Sequence, residues 1–168
     1  MKKYNLLAIV SMFLLGSIFL PQFLHAQKNK DSIQEKKVTG LLDNQHFRFI
    51  AQSATPASGR TRQLESQYDL QVSKERVVAD LPYFGTAYFS PVNPSEGGVK
   101  FTSKDFVYNV AKRKKDGWDV FIKGKDFADP PNMALTVFSD GKATLQVTSN
   151  SRQGISYNGY IVDPDNEK

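Results

Sequence analysis

The chain has 168 residues, 22 Lys plus Arg against 17 Asp plus Glu for a net charge of +5, two His, no Cys, and 40% hydrophobic and 12% aromatic residues. That length carries one domain with a sizeable core, and the composition excludes collagen-like, coiled-coil and disordered chains. The missing cysteine excludes a disulfide framework, a thiolate nucleophile, Cys-ligated zinc, an iron–sulfur cluster and a lipid-modified cysteine at the mature N-terminus, so a lipoprotein is not expected.

Lys2 and Lys3 precede an apolar run from Leu6 to Leu20, followed by Pro21 and Phe23-Leu24-His25-Ala26, after which the sequence turns polar at Gln27. A charged start, an apolar middle and a small terminal residue are the parts of a secretory signal peptide over residues 1–26, with cleavage expected between Ala26 and Gln27. The apolar run is about 15 residues, short of the roughly 20 that span a bilayer, so a retained anchor is the secondary alternative. Removing residues 1–26 takes two lysines and His25 and leaves 142 residues with 20 basic and 17 acidic side chains, a charge of +3. The basic excess largely goes with the leader, and so does a nucleic-acid reading, which needs a strongly basic face. The expectation is an exported protein, periplasmic or extracellular, with no membrane span after cleavage.

Residues 27–44 are polar, with Ile33, Val38, Leu41 and Leu42 spaced like one stripe of a helix. Gly40 weakens that helix by roughly 1 kcal/mol relative to Ala. One short amphipathic helix is therefore predicted ahead of a β-domain over 45–168. Phe47, Phe49 and Ala51 alternate with polar or outward positions, and Pro56, Ser58 and Gly59 then read as an exposed loop. Tyr68, Leu70 and Val72 mark a second strand. Further candidates run from Val77 to Leu81, Thr86 to Ser90, Gly98 to Ser103, Phe106 to Lys112 and Trp118 to Lys123, and then from Met133 to Ser139, Ala143 to Ser149 and Ile155 to Val162. Ten strand candidates and at most one helix predict an antiparallel all-β domain.

Two turns carry register information. A three-residue loop at Ser139-Asp140-Gly141, with Gly141 left-handed, pairs Val137 with Ala143, Leu135 with Leu145 and Met133 with Val147, which keeps one face apolar. A two-residue turn at Asp140-Gly141 would set apolar residues opposite polar ones. The same loop at Lys115-Asp116-Gly117 places Val110 opposite Ile122. Successive hairpins without long crossovers predict a meander, and closing it into a lipocalin-like barrel removes its edges; a β-sandwich is the alternative.

Leu81-Pro82-Tyr83-Phe84-Gly85-Thr86-Ala87-Tyr88, then Glu96-Gly97-Gly98-Val99-Lys100-Phe101, then Gly141-Lys142-Ala143-Thr144-Leu145, Arg152 and Ile155-Ser156-Tyr157-Asn158-Gly159-Tyr160-Ile161 occur in that order. This set resembles the domain of unknown function 4251 family of exported Bacteroidota proteins, over roughly Leu41 to Val162. The resemblance implies a lipocalin-type barrel and export, and implies no activity, substrate or catalytic residue. Members of that family often carry a basic residue where this chain has Thr86.

The candidate ligand-binding residues are Tyr83, Phe84, Tyr88, Arg152 and Tyr157. Pro82 cannot donate to a sheet, so Leu81–Gly85 reads as a bend, and the rings of Tyr83, Phe84, Tyr88 and Phe89 could form an aromatic mouth or merely a packed corner. Arg152 could fork onto a ligand carboxylate, or pair with Glu96 to close one barrel end. Glu96-Gly97-Gly98 lacks the context of a phosphate loop. His46 has no second histidine beyond the leader, and Asp43 is a weak partner for a metal, so a half-exposed histidine at a strand start is expected and no metal or cofactor. Trp118 is in phase with Val120 and Ile122 and belongs in the core. The run Lys112-Arg113-Lys114-Lys115 sits at a hairpin tip, where charge keeps an edge soluble. Glu65, Asp69, Glu75 and Asp80 read as outward-facing. Asp31-Ser32-Ile33 resembles a short O-glycosylation acceptor at Ser32.

No nucleophile–base pair or facing carboxylates can be assembled, so no enzyme is expected. The favoured function is an exported, non-catalytic binding module for a small apolar or amphipathic ligand, with a cavity of at least about 300 Å³ lined by Phe47, Tyr83, Tyr88, Tyr108 or Trp118. The alternative is an envelope structural or protein-interaction domain using a strand edge near Leu81 to Pro91.

Overall fold

The computed structural model describes residues 21–88, 97–126 and 129–166, with side chains from residue 32 onward. Most of the expected leader, together with Phe89 and Glu96, lies outside the described residues. Helix α1 (Pro21–Asp43) is followed by β1 (Phe47–Pro56), β2 (Arg62–Val72), β3 (Val77–Leu81), β4 (Val99–Ser103) and β5 (Phe106–Lys112). Then come β6 (Trp118–Gly124), β7 (Asn132–Val137), β8 (Lys142–Thr148), β9 (Ile155–Val162) and a 3-10 turn, Pro164–Asn166. The Ala26–Gln27 junction falls within the backbone of α1. Among the described residues no helix is long and apolar enough to cross a membrane.

All strands join one sheet in the order β4-β3-β2-β1-β9-β8-β7-β6-β5, and every neighbouring pair is antiparallel. Eight antiparallel steps separate β4 from β5, so the two edge strands run in the same direction. They are also consecutive in the chain, joined only by Lys104-Asp105. They therefore act as two halves of one long bent strand, the first paired with β3 and the second with β6. This brings the sheet round into a nearly closed barrel. Asp126 ties the bend, accepting from the Ser103 hydroxyl at 2.6 Å and the Lys104 N–H at 2.8 Å.

Inward-facing side chains from the strands fill the interior. Phe47, Phe49, Leu70, Ile122, Met133 and Leu145 are all at most 1% exposed, and Trp118 joins them. The expected cavity lined by Phe47 or Trp118 is absent among these residues, because their own side chains occupy that space. Helix α1 caps one end: Val38 and Leu42 are buried against the barrel, and the Tyr108 hydroxyl donates to the Leu42 carbonyl at 2.8 Å. Ile33, expected on the buried stripe, is 63% exposed, since it lies more than a turn before Val38, the first buried residue of the helix. The helix stops at a left-handed Gln45 (φ 51°), with the His46 N–H bonded to the Leu41 carbonyl and the Gln45 N–H to the Leu42 carbonyl. These two bonds satisfy carbonyls that the helix end would otherwise orphan.

A Cβ on Gly40 would meet nothing within 4 Å. Gly40→Ala is therefore expected to stabilise the fold by roughly 0.5–1 kcal/mol. A raised thermal midpoint with α1 intact is the expected result, and a lowered one would show that the position is constrained.

The β7–β8 hairpin has the predicted register, Val137↔Ala143, Leu135↔Leu145 and Met133↔Val147, with Gly141 at φ 87°. The β5–β6 hairpin differs: Val110 faces Val120, and Ile122 faces Tyr108. Here the Arg113 N–H bonds the Gly117 carbonyl at 2.9 Å, so the loop begins one residue earlier than expected. A two-residue shift preserves which side chains point inward, so alternation alone does not distinguish the registers.

Two further expectations change. β1 continues past Ala51 to Pro56 across a bulge between Ala51 and Ser53 that breaks the alternation. Thr86 to Ser90 forms no strand among the described residues: after Pro82 the chain crosses the open barrel end and makes a single bridge, Ala87↔Arg152. The exposed loop is shorter than expected, running from Ala57 to Thr61.

Candidate functional site

The end opposite α1 is built from the β1–β2, β3–β4, β6–β7 and β8–β9 connections. The Leu81–Gly85 bend crosses it and is tied down from both sides. The Tyr83 hydroxyl lies 2.9 Å from the carbonyls of both Thr86 and Gln153. The Tyr157 hydroxyl donates to the Pro82 carbonyl at 2.7 Å. Tyr157 is fully buried, and burial raises its pKa well above the ordinary tyrosine value, so it is a fixed donor. Tyr83 is shifted upward too, by burial first, with the Arg152 charge opposing.

Two arginines lie over the rings of this bend. The Arg152 guanidinium is 5.2 Å from the Tyr83 ring centre, and that of Arg62 is 4.8 Å from the Phe84 ring. Arg152 also donates to the Gly98 carbonyl at 2.6 Å, which fixes its head at the start of β4. Tyr83, Arg152 and Tyr157 thus come together. Phe84 instead packs beneath Arg62, and Tyr88 points outward with 60% exposure.

Beside Tyr83 and Arg152 opens a cleft of about 190 Å³ between β4 and the β6–β7 connection. Val99, Phe101, Val147 and Ile155 give it an apolar floor, and Pro131 forms one wall. Its charged lining residues are Arg152, Lys100 and Asp129, with Lys100 paired to Asp80 at 3.0 Å. Asp129 accepts from the backbone N–H groups of Asn150 at 3.4 Å and Ser151 at 3.2 Å. The cleft is smaller than the roughly 300 Å³ expected of a drug-sized pocket, and of the expected lining residues only Tyr83 borders it.

Hydrogen bonding from Ser151 holds the Asp129 carboxyl below the ordinary carboxylate range, as Ser103 does for Asp126 and Lys142 for Asp140. A carboxyl with a pKa lower in the folded than in the unfolded chain stabilises the fold at pH above the unfolded value, roughly 4, and loses that contribution as pH falls through the lowered one. The unfolding midpoint is therefore expected to be steady from neutral pH down to about 5 and to fall below about 4. Asp126→Asn is expected to flatten that acid limb; an unchanged limb would remove Asp126 from this account.

Other sequence candidates fall elsewhere. His46 is partly exposed at the strand start as expected, and its Nε2 lies 3.0 Å from the Asp165 carboxylate. Donor atoms of His46, Asp163 and Asp165 lie within 4.8 Å of one another and could approach one metal ion. Asp163 is already engaged by the Asp165 N–H at 3.1 Å and the Asn166 amide at 2.6 Å, which accounts for it as the cap of the 3-10 turn. Asp69, expected to face outward, is 7% exposed and receives Arg48 and Gln71, because the long Arg48 side chain covers it. Trp118 is in the core, with the Lys112 ammonium 5.7 Å from its ring centre. Ser32 is exposed on α1. The residues that sequence reasoning missed are Asp129 and Lys100, since a lone Asp-Pro loop and an outward strand lysine carry no distinguishing pattern.

Fold and site together define a small antiparallel barrel with one end capped by a helix and a cleft at the other. A family model described as Domain of unknown function (DUF4251) matches residues 29–161, and the chain belongs to that family. It is similar to the crystal structure of a DUF4251 family protein from Bacteroides eggerthii, at 14% identity and a TM-score of 0.61, covering 83% of this chain and 93% of that one. At that identity the likeness speaks for the fold alone. No curated protein matches the chain.

Proposed function

We propose that this domain is an exported, non-catalytic binding module that takes a small amphipathic molecule at the uncapped barrel end. The observation that carries the reading is the 190 Å³ cleft, with its apolar floor and charged rim, in a barrel whose interior is otherwise packed. With the interior filled, the barrel mouth is a place where a ligand can bury surface. The apolar segment after Lys2-Lys3 supports export, with cleavage after Ala26. A non-catalytic role is supported by the lining: among the described residues Asp129 is the one carboxylate bordering the cleft, whereas paired acid–base work takes two.

Native mass spectrometry of the protein purified from its own cells tests this. A co-purifying small mass, released on denaturation and absent from an Arg152→Ala preparation, is the expected result. A clean apo mass from the native source would overturn the reading.

A further inference from the structure

The charges around the cleft are arranged by sign. Arg152, although it arises from the β8–β9 connection, has its guanidinium at the β4 rim, where it donates to the Gly98 carbonyl at 2.6 Å and lies over Tyr83. Lys100, on β4 itself, also lines that rim, but its ammonium is paired with Asp80 at 3.0 Å, which leaves Arg152 as the cation facing the cleft. The β6–β7 rim carries the opposite sign: Asp129 lines the cleft there, its carboxylate held by the Asn150 and Ser151 N–H groups. Between the rims lie Val99, Val147 and Ile155. A purely anionic ligand would meet Asp129 unfavourably, and a purely cationic one would meet Arg152. Like-charge approach in a partly enclosed site costs affinity, and opposite charges at both ends of a ligand fix its orientation.

Resting on the reading of the cleft as a ligand site, we infer that its ligand class is a small zwitterion with an apolar body, of which a free apolar α-amino acid is the simplest case. The carboxylate faces the Arg152 rim, the ammonium faces Asp129, and the apolar side chain lies on the valine and isoleucine floor. The volume agrees, since about 190 Å³ accommodates a molecule of this size and not a drug-sized one.

The test is an amide chemical-shift titration of the wild-type protein with L-leucine, 4-methylpentanoate and 3-methylbutylamine, which share one apolar body and differ in their charges. Leucine is expected to move the amides of Gly98 to Phe101 and Ser149 to Gln153 saturably, at concentrations at least about tenfold lower than either single-charge analogue. Asp129→Asn is expected to erase leucine's advantage over the acid, and Arg152→Gln its advantage over the amine. If the acid or the amine binds the same amides as well as leucine, the zwitterion assignment fails and the cleft remains a ligand site. If none of the three moves those amides, the assignment also fails, while a native co-purifying mass separately decides whether the cleft binds anything. The wild-type titration stands even if a variant fails to fold.

Discussion

Gly159→Ala is expected to destabilise the protein by about 3–5 kcal/mol. A Cβ at this position would lie 1.9 Å from the Ile50 carbonyl oxygen and 2.9 Å from its carbon. Both are backbone atoms of β1, so no side-chain rotation relieves the overlap. Gly159 pairs with Ala51 on one side and Ala143 on the other, at the point where β1 bulges before Ser53. The bulge presses the β1 backbone toward β9, and only a residue without a side chain admits it. Urea unfolding monitored through Trp118 measures the effect. A midpoint shift worth less than about 1 kcal/mol would show that the β1–β9 seam can yield.

Tyr157 gives the second large effect, and two substitutions separate its parts. Tyr157→Ala removes a fully buried ring next to Leu145 and Ala54 in the sheet and is expected to cost about 3–5 kcal/mol. Tyr157→Phe keeps the ring and removes only the 2.7 Å bond to the Pro82 carbonyl, at an expected cost of about 1–3 kcal/mol. The phenylalanine variant should also loosen the Leu81–Gly85 bend, seen as faster amide exchange at Tyr83 and Phe84. Equal costs for the two variants would mean that the hydroxyl bond, not the ring, dominates.

The parts of the fold that could be read from the sequence are those set by local pattern. The β7–β8 register followed from Gly141 and the alternation of Met133, Leu135 and Val137 against Ala143, Leu145 and Val147. The β5–β6 register did not, because a shift of two leaves the same side chains inward. The second half of β1 was hidden by its own bulge, after which Ser53 and Ala54 are both buried and no period remains to detect. Of the residues the sequence singled out, Tyr83 and Arg152 border the cleft, whereas Tyr157 is buried behind the bend and bonded to Pro82. Their grouping with Asp129 and Lys100 depends on three connections meeting at one barrel end, and no spacing along the chain encodes that. His46 makes the same point: its partner Asp165 is 119 residues away.

The bent strand at Lys104-Asp105 also bears on how the chain assembles. On either side of it lie two local meanders, β1 to β4 and β5 to β9, each made only of sequence neighbours. Such pairings close short loops and form quickly, whereas β1 and β9 are about a hundred residues apart and close the longest loop in the sheet. The β1–β9 seam, where Gly159 admits the bulged strand, is thus the natural last step of folding. Closure of that seam is therefore the step expected to limit the folding rate.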